Sequence, residues 1–443
     1  MVFLTKFFSK KLSIKFVVVI VVLLAGAAGV GVLYHYRHTI PFYTTIITTK
    51  NKELRESKRT ISEKNNAIAA LQKKLAEDEK TIQQLNGNVA TSNTALQQTQ
   101  QSLAKSDAQI QDLQKKGLPK AQKYQNGPIL TASTDSAKWD SNNHVAGNCI
   151  VKDAHGTINL FYYAGTKDGA SVGLARSKDN KKFTKLSAPV LTPGPTGTWD
   201  SGVVSVYPNC IIQRNDGTYW MYYSGSPKGS PDFYWNKVGA IGVAFSKDLI
   251  HWSKYENNPI FTATDAKSWE SEGIFEPSVY FNGDEYGGKD AFMMWYGGNA
   301  ADGRMGIGLA TSNNGVTWTR YSKNPVLMHS KNSNNFDAYT IEVHSVVKYG
   351  NGFVMAYEAT DRKFPSRFAI GLASSTNGKT WKKSADNPIL QAGPVGSWDS
   401  FGVYHPSIVI DANKIYLYYV GLNSTYTHAI GVAEINPTYF PTP

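Results

Sequence analysis

Two periodicities divide the chain. From Leu54 to Ile110 an apolar residue returns at every seventh position: Leu54, Ile61, Ile68, Leu75, Ile82, Val89, Leu96, Leu103 and Ile110. That spacing keeps one stripe of a helix apolar and predicts an α-helical coiled-coil stalk over 50–116. The companion stripe is half polar (Ser57, Lys64, Leu71, Asp78, Leu85, Ser92, Thr99, Ser106, Leu113), so the seam is weak. Asn86-Gly87-Asn88 is its weakest point. Such a seam implies a homo-oligomer; a single solvated helix is the alternative. A continuous helix would reach on the order of 100 Å at 1.5 Å per residue. Gly117-Leu118-Pro119 stops it, and 117–123 reads as a linker.

After the stalk the period changes from seven to two, in short strands between turn residues. A Pro with two apolar residues recurs at Pro128, Pro189, Pro259, Pro325 and Pro388, in steps of 61 to 70 residues. Each repeat holds an aromatic strand (Phe161-Tyr162-Tyr163, Met221-Tyr222-Tyr223, Met294-Trp295-Tyr296, Ala356-Tyr357, Leu417-Tyr418-Tyr419) and a Gly-apolar-Ala strand. Each opens on an aromatic-acid corner: Trp139-Asp140, Trp199-Asp200, Trp269-Glu270, Phe336-Asp337 and Trp398-Asp399. One step is long enough for a four-stranded sheet, so the pattern predicts an all-β five-bladed β-propeller over 124–436, with a tail at 437–443. The last repeat lacks its final piece and the first is preceded by an extra Gly127-Pro128-Ile129-Leu130. The N-terminal segment is therefore expected to complete the last blade and close the ring.

The front of the chain adds a membrane signal. Phe16 to Leu33 carries no charge, and Lys6, Lys10, Lys11 and Lys15 precede it. These features predict a cytoplasmic basic segment (1–15) and a transmembrane helix (16–36), with everything after it exported. Ala25-Gly26-Ala27 leaves a cleaved signal peptide as the alternative. The net charge of +12 is partly this lysine excess. No basic stripe with interleaved aromatics runs through the repeats, which argues against nucleic acid. Cys149 and Cys210 occupy equivalent places in repeats one and two: two small buried residues, or a disulfide if geometry allows.

The repeats provide an internal comparison. Positions alike in all copies serve the fold; axis-facing positions that differ are where chemistry can sit. At the inner-strand starts the copies read Ala146-Gly147-Asn148, Val206-Tyr207-Pro208, Phe275-Glu276-Pro277, Ile341-Glu342-Val343-His344 and Tyr404-His405-Pro406. Glu276, Glu342, His344 and His405 should converge at one mouth of the channel. Two carboxyls across a pocket suit glycoside hydrolysis, one protonating the leaving oxygen while the other activates water or attacks carbon. The corner acids recur in every repeat and read as structural, with Asp140 kept as a candidate base. Glu272 has no acidic counterpart elsewhere and is a candidate for substrate contact, with Tyr207 and His144.

These residues resemble those of the five-bladed propeller glycosidases of the arabinanase/xylosidase and invertase/levanase type (glycoside hydrolase families 43 and 32). The resemblance covers about 124–436 and rests on the five-fold repeat, "SKDLIHW", "NNPIF" and the acids at strand starts. It implies a general acid at Glu342 and a second, tuning acid at Glu276. It also implies an axial His405 near a central ion or water cluster, no other cofactor, and a glycan as partner. Phe275 stands where the invertase type has Arg. The blade-one acid of that group falls at Gly147 or Asn148, and neither can act as a base. Asp140 or His144 would have to substitute, or the head is a non-catalytic carbohydrate-binding or scaffolding propeller. The turns at Ser374–Trp381 and Thr311–Trp318 also resemble the structural Asp-box hairpins of sialidases.

Overall fold

The computed structural model describes residues 119–443, apart from 125–126, 143, 167–168, 230–238, 264–268, 285–287, 289–290 and 362–367, and scattered residues between 86 and 101. Two compact units divide at Pro119. In the first, the described residues between 86 and 101 are helical and exposed, Asn86 and Gly87 included. The seam residues Val89 and Leu96 face solvent there. The rest of the predicted stalk and the predicted membrane segment lie outside the described residues. Among those described, no helix is long and apolar enough to cross a membrane.

The second unit consists of five antiparallel blades. In blade one the strands are Val145–Lys152, Ile158–Thr166, Gly169–Ser177 and Thr184–Lys185. Blade two has a broken inner strand, Val203–Ser205 and Ile211–Gln213, followed by Tyr219–Ser226, Ala240–Ser246 and Ser253–Lys254. Blades three and four follow the simple order. Blade three runs Gly273–Phe281, Phe292–Asn299, Met305–Ser312, Thr319–Arg320; blade four runs Thr340–Tyr349, Gly352–Thr360, Ala369–Ser375, Lys382–Lys383. Blade five takes three strands from the C-terminus (Gly402–Asp411, Lys414–Leu422, His428–Ile435) and its outermost from Ala121–Lys123. Leu130 pairs with Ile430 just as Phe261 pairs with Ile241 and Leu327 with Ile307 in their blades.

The N-terminal segment thus closes the ring, from Ala121 rather than from 124. The far boundary also moves. Pro437–Tyr439 form a 3-10 turn and the buried Phe440 packs edge-on against Tyr349, 5.0 Å between ring centres, so this segment is part of the core.

Inner strands touch in sequence around the hub. Val279 N donates to Asn209 O, Val346 N to Ser278 Oγ, Ile408 N to Ser345 Oγ and Asn148 Nδ2 to His405 O. Those bonds link blades two to three, three to four, four to five, and five to one.

Why each blade folds alike is legible in its corner. The Trp of each Trp-acid pair packs on the second-strand Tyr, stacked in three copies (Trp199 on Tyr223 and Trp398 on Tyr419, both at 5.5 Å, and Trp139 on Tyr162) and tilted for Trp269 on Tyr296. Third-strand glycines make room, since a Cβ at Gly242 would fall 2.7 Å from Trp199. The acid accepts from the same Tyr and pairs with a cation on the outermost strand. Asp140 does so with Lys185, Asp200 with Lys254, Glu270 with Arg320, Asp337 with Lys383 and Asp399 with Lys123. In three copies the Asn before the landmark Pro holds that Tyr hydroxyl: Asn258, Asn324 and Asn387. Outer turns repeat a second device, a Ser and an Asp or Asn folded over the next amides, as at Ser375 and Asn377.

Candidate active site

The site begins with a backbone irregularity. In blades one, three, four and five the ladder between inner and second strands slips at the same level, between Ala146/Cys149, Phe275/Ser278, Ile341/His344 and Tyr404/Ser407. Such a bulge leaves residues unpaired and re-aims their side chains. Gly147, Glu276 and His405 take left-handed backbone there, with φ of 65°, 63° and 48°. Glycine does so freely. For Glu276 and His405 the conformation costs of order 1–3 kcal/mol, held by surrounding bonds. Glu276 N donates to Ser224 Oγ at 3.0 Å, and His405 N donates to Glu358 Oε2 at 2.6 Å. His405 Nδ1 accepts from Gly147 N at 3.0 Å. The Glu276 carboxyl lies over Gly297, where a Cβ would sit 2.8 Å from Oε2.

Three carboxyls meet in this buried hub: Glu276, Glu342 and Glu358. Glu342 starts in blade four's inner strand and Glu358 lies beside it on the second strand, hydrogen-bonded to it. Burial raises all three above the carboxylate range. Glu342 moves to about 7, restrained by its bond from Glu358. Glu276 stands well above its usual value through burial and the charge of Glu342. Glu358 does too, through burial and both neighbouring acids, with the His405 amide pulling the other way. Among the described residues, none of the groups that shift these acids is a cation. Glu342 therefore exchanges its proton near neutral pH, and burial favours the protonated form of Glu276 and Glu358. Glu342 Oε1 and Glu276 Oε2 have no protein hydrogen-bond partner.

The opposite wall is made of rings. His144 meets His428 edge-on at 4.3 Å, and His405 lies 4.6 Å from Tyr404 and 5.4 Å from Tyr207. Burial keeps these imidazoles neutral: His144 falls to about 4, His428 to about 3, and His405 well below its usual value, with His144 and His428 adding to the effect. Tyr163 and Tyr207 bond to each other, and burial holds both phenols protonated.

Of the residues expected from sequence, Glu276, Glu342, Tyr207, His144 and His405 come together. His344 is buried against the Trp295 backbone, its value lowered to about 4 by burial. Glu272 stands on the rim, half-buried, its amide bonded to Asn299 O. Asp140 is corrected: it is held by Tyr162 at 3.2 Å and by Lys185 of the outermost strand, the arrangement of every other corner. Its carboxylate is committed to the outer half of blade one. His405 Nδ1 is already taken by Gly147 N–H, and among the described residues no three His, Cys, Asp or Glu could hold a metal. Cys149 and Cys210 are buried free thiols, hydrogen-bonded to one another without a disulfide.

The residue missed from sequence is Glu358. The position after the recurrent second-strand Tyr reads Tyr163, Ser224, Gly297, Glu358 and Val420. It varies between blades and faces the axis, so the comparison used for inner strands finds it when extended one strand outward.

The sequence profile of the glycosyl hydrolases family 32 N-terminal domain matches residues 207–344. No curated protein matches the chain. A solved structure described as a glycoside hydrolase superposes with a TM-score of 0.57 at 22% identity, covering 73% of this chain and 95% of its own. Another comes from the GH130 family of mannoside phosphorylases, which contains glycoside hydrolases that target β-1,2 mannosidic linkages in Candida mannan. It gives 0.53 at 19% identity and covers 73% and 96%. The β-1,2-mannobiose phosphorylase from Listeria innocua, in complex with β-1,2-mannobiose, gives 0.52 at 12% identity and covers 72% and 97%. The chain thus has the all-β fold of glycoside hydrolase propeller proteins.

Proposed function

We propose that the protein is a glycan-active hydrolase whose hub binds one sugar unit, with Glu342 protonating the leaving glycosidic oxygen. The observation that carries this reading is the trio of buried carboxyls with no cation among the described residues beside it. A general acid must hold a proton at working pH and release it on demand, which a carboxyl at about 7 does. Glu358 donates to Glu342 and is fixed in turn by the His405 amide, so it orients the acid. Glu276 presents Oε2 to the hub and suits a sugar hydroxyl.

The test is hydrolysis of aryl furanosides, aryl pyranosides and oligosaccharides, with and without phosphate. Phosphate-independent turnover, abolished in Glu342→Gln, is expected. Turnover that survives this change ends the proposal.

One observation favours a second reading, a glycan-binding head without turnover. Blade one cannot supply an acid at Gly147, because a Cβ there would fall 2.2 Å from the Val206 carbonyl oxygen. Its neighbour Asn148 is neutral. Glycan binding without turnover, unaltered by Glu342→Gln, would establish it. In either case we propose that the N-terminal apolar segment anchors the protein with the propeller exported and oligomerised through the stalk. Membrane fractionation and crosslinking of the full chain test that.

A further inference from the structure

Four hairpins in the propeller share one five-residue turn. The amide of its first residue donates to the carbonyl of its fifth, and the amide of its fourth donates back to the carbonyl of the first. Asp153–Thr157, Arg214–Thr218, Ala300–Arg304 and Asn423–Thr427 all show this pattern. The fourth position requires left-handed backbone. Three turns place glycine there: Gly156, Gly217 and Gly303, with φ of 71°, 83° and 77°. The fourth turn places Tyr426, with φ of 57°. A bulky side chain is rare in that region, and the turn does not need one. The ring is also 67% exposed, so no core is built with it.

Its surroundings give it a use. Tyr426 lies 5.5 Å from the ring of Phe401. Phe401 occupies a rim position shared with Gly202, Glu272 and Tyr339, each of which donates its amide to the end of its blade's second strand. The hairpin continues directly into His428, which packs on His144 and Tyr404 in the hub. Two residues of chain span at most about 7 Å, so the backbone of Tyr426 lies within that distance of His428 at the edge of the hub. Phe368 extends the same aromatic wall through Tyr404, 6.1 Å away.

We propose that Tyr426 and Phe401 form a second sugar-binding subsite, stacking on a unit of an oligosaccharide whose neighbour occupies the hub. This rests on the reading of the hub as a glycan site and deepens it: the ligand is a chain of three or more units rather than a monosaccharide glycoside. Aromatic rings offer a flat apolar face with a polar edge, which matches the C–H face of a pyranose or furanose ring.

The test uses the full chain with arabinan, levan and β-1,2-mannan oligosaccharides from disaccharide to hexasaccharide, and aryl monoglycosides as controls. Tyr426→Gly installs the residue of the sister turns, so its melting temperature should not fall. For trisaccharides and longer, its kcat/KM is expected to drop about tenfold, the size of one such contact. Aryl monoglycosides should change less than twofold, and Tyr426→Phe should restore the wild-type length dependence. Equal losses at all lengths, or none, overturn the subsite. If the wild type cleaves nothing, the hydrolase reading fails separately, and calorimetric binding of the same oligosaccharides decides the subsite. Affinity that rises with length and is lost in Tyr426→Gly upholds it; absent or unaffected binding overturns it.

Discussion

Glu358 and Glu342 show how little a residue's identity says without its neighbours. Glu358 both accepts the His405 amide and bonds Glu342, so its replacements separate two roles. Glu358→Gln retains an acceptor for the amide and a donor for Glu342. It should therefore melt close to wild type and keep measurable turnover. Glu358→Leu leaves the buried His405 N–H unpaired, which costs about 1–3 kcal/mol. Without its donor bond, Glu342 should titrate higher, moving the alkaline limb of the pH–rate profile up. Thermal melts and pH–rate profiles of both variants check this, and equal behaviour of the two would refute it. The same scale explains what sequence could reach. Glu276 and Glu342 stood out because inner-strand starts could be compared across repeats. Glu358 did not, because its strand looked like a uniform aromatic element. The blade-one acid cannot be restored by simple substitution. Gly147→Asp should lower the melting temperature without raising activity, since φ of 65° and the Val206 carbonyl both oppose a side chain.

At the scale of elements, the corner is the unit that repeats, and it decides the case of Asp140. The carboxylate is 4% exposed and its Lys185 partner 23%, 2.5 Å apart. Asp140→Ala should cost about 2–3 kcal/mol, less than a fully buried pair because the lysine can rehydrate. Hub chemistry should be untouched: kcat/KM within twofold wherever the variant is folded. Loss of turnover from a folded Asp140→Ala protein would return this residue to the active site. The corners were legible in sequence as recurrent acids, and recurrence argued for structure. What could not be read was which acid each cation meets, although Lys185, Lys254, Arg320 and Lys383 each stand two residues after an outer aromatic, Phe183, Trp252, Trp318 and Trp381. Nor could the fifth cation, Lys123, since it reaches Asp399 from the opposite end of the propeller sequence. That distance in sequence is also why the boundary falls at Ala121: the closing strand has only three residues, too few for a visible period.

For the whole propeller, the hub sets a pH dependence of stability through two opposed groups. The three glutamates have folded values above their unfolded ones, so the folded state binds more protons. Their contribution is complete below about pH 4.5 and is lost as pH rises through neutrality. The histidines run the other way. His144, His344, His405 and His428 have folded values below the unfolded 6.5, so their contribution is complete above that value and lost as pH falls. The two slopes oppose each other between about pH 4.5 and 6.5, where protons leaving the unfolded histidines offset those held by the folded acids. Above that window only the acids still act, and stability should fall. Below it only the histidines act, and stability should fall again. The melting temperature is therefore expected to peak near about pH 6. Glu342→Gln removes one acid slope, so its melting temperature should exceed wild type at pH 8 and match it more closely at pH 5. A wild-type melting temperature that rises steadily from pH 6 to pH 9 would mean that the three carboxyls ionise freely. The hub would then not be the buried chamber on which proton transfer by Glu342 depends.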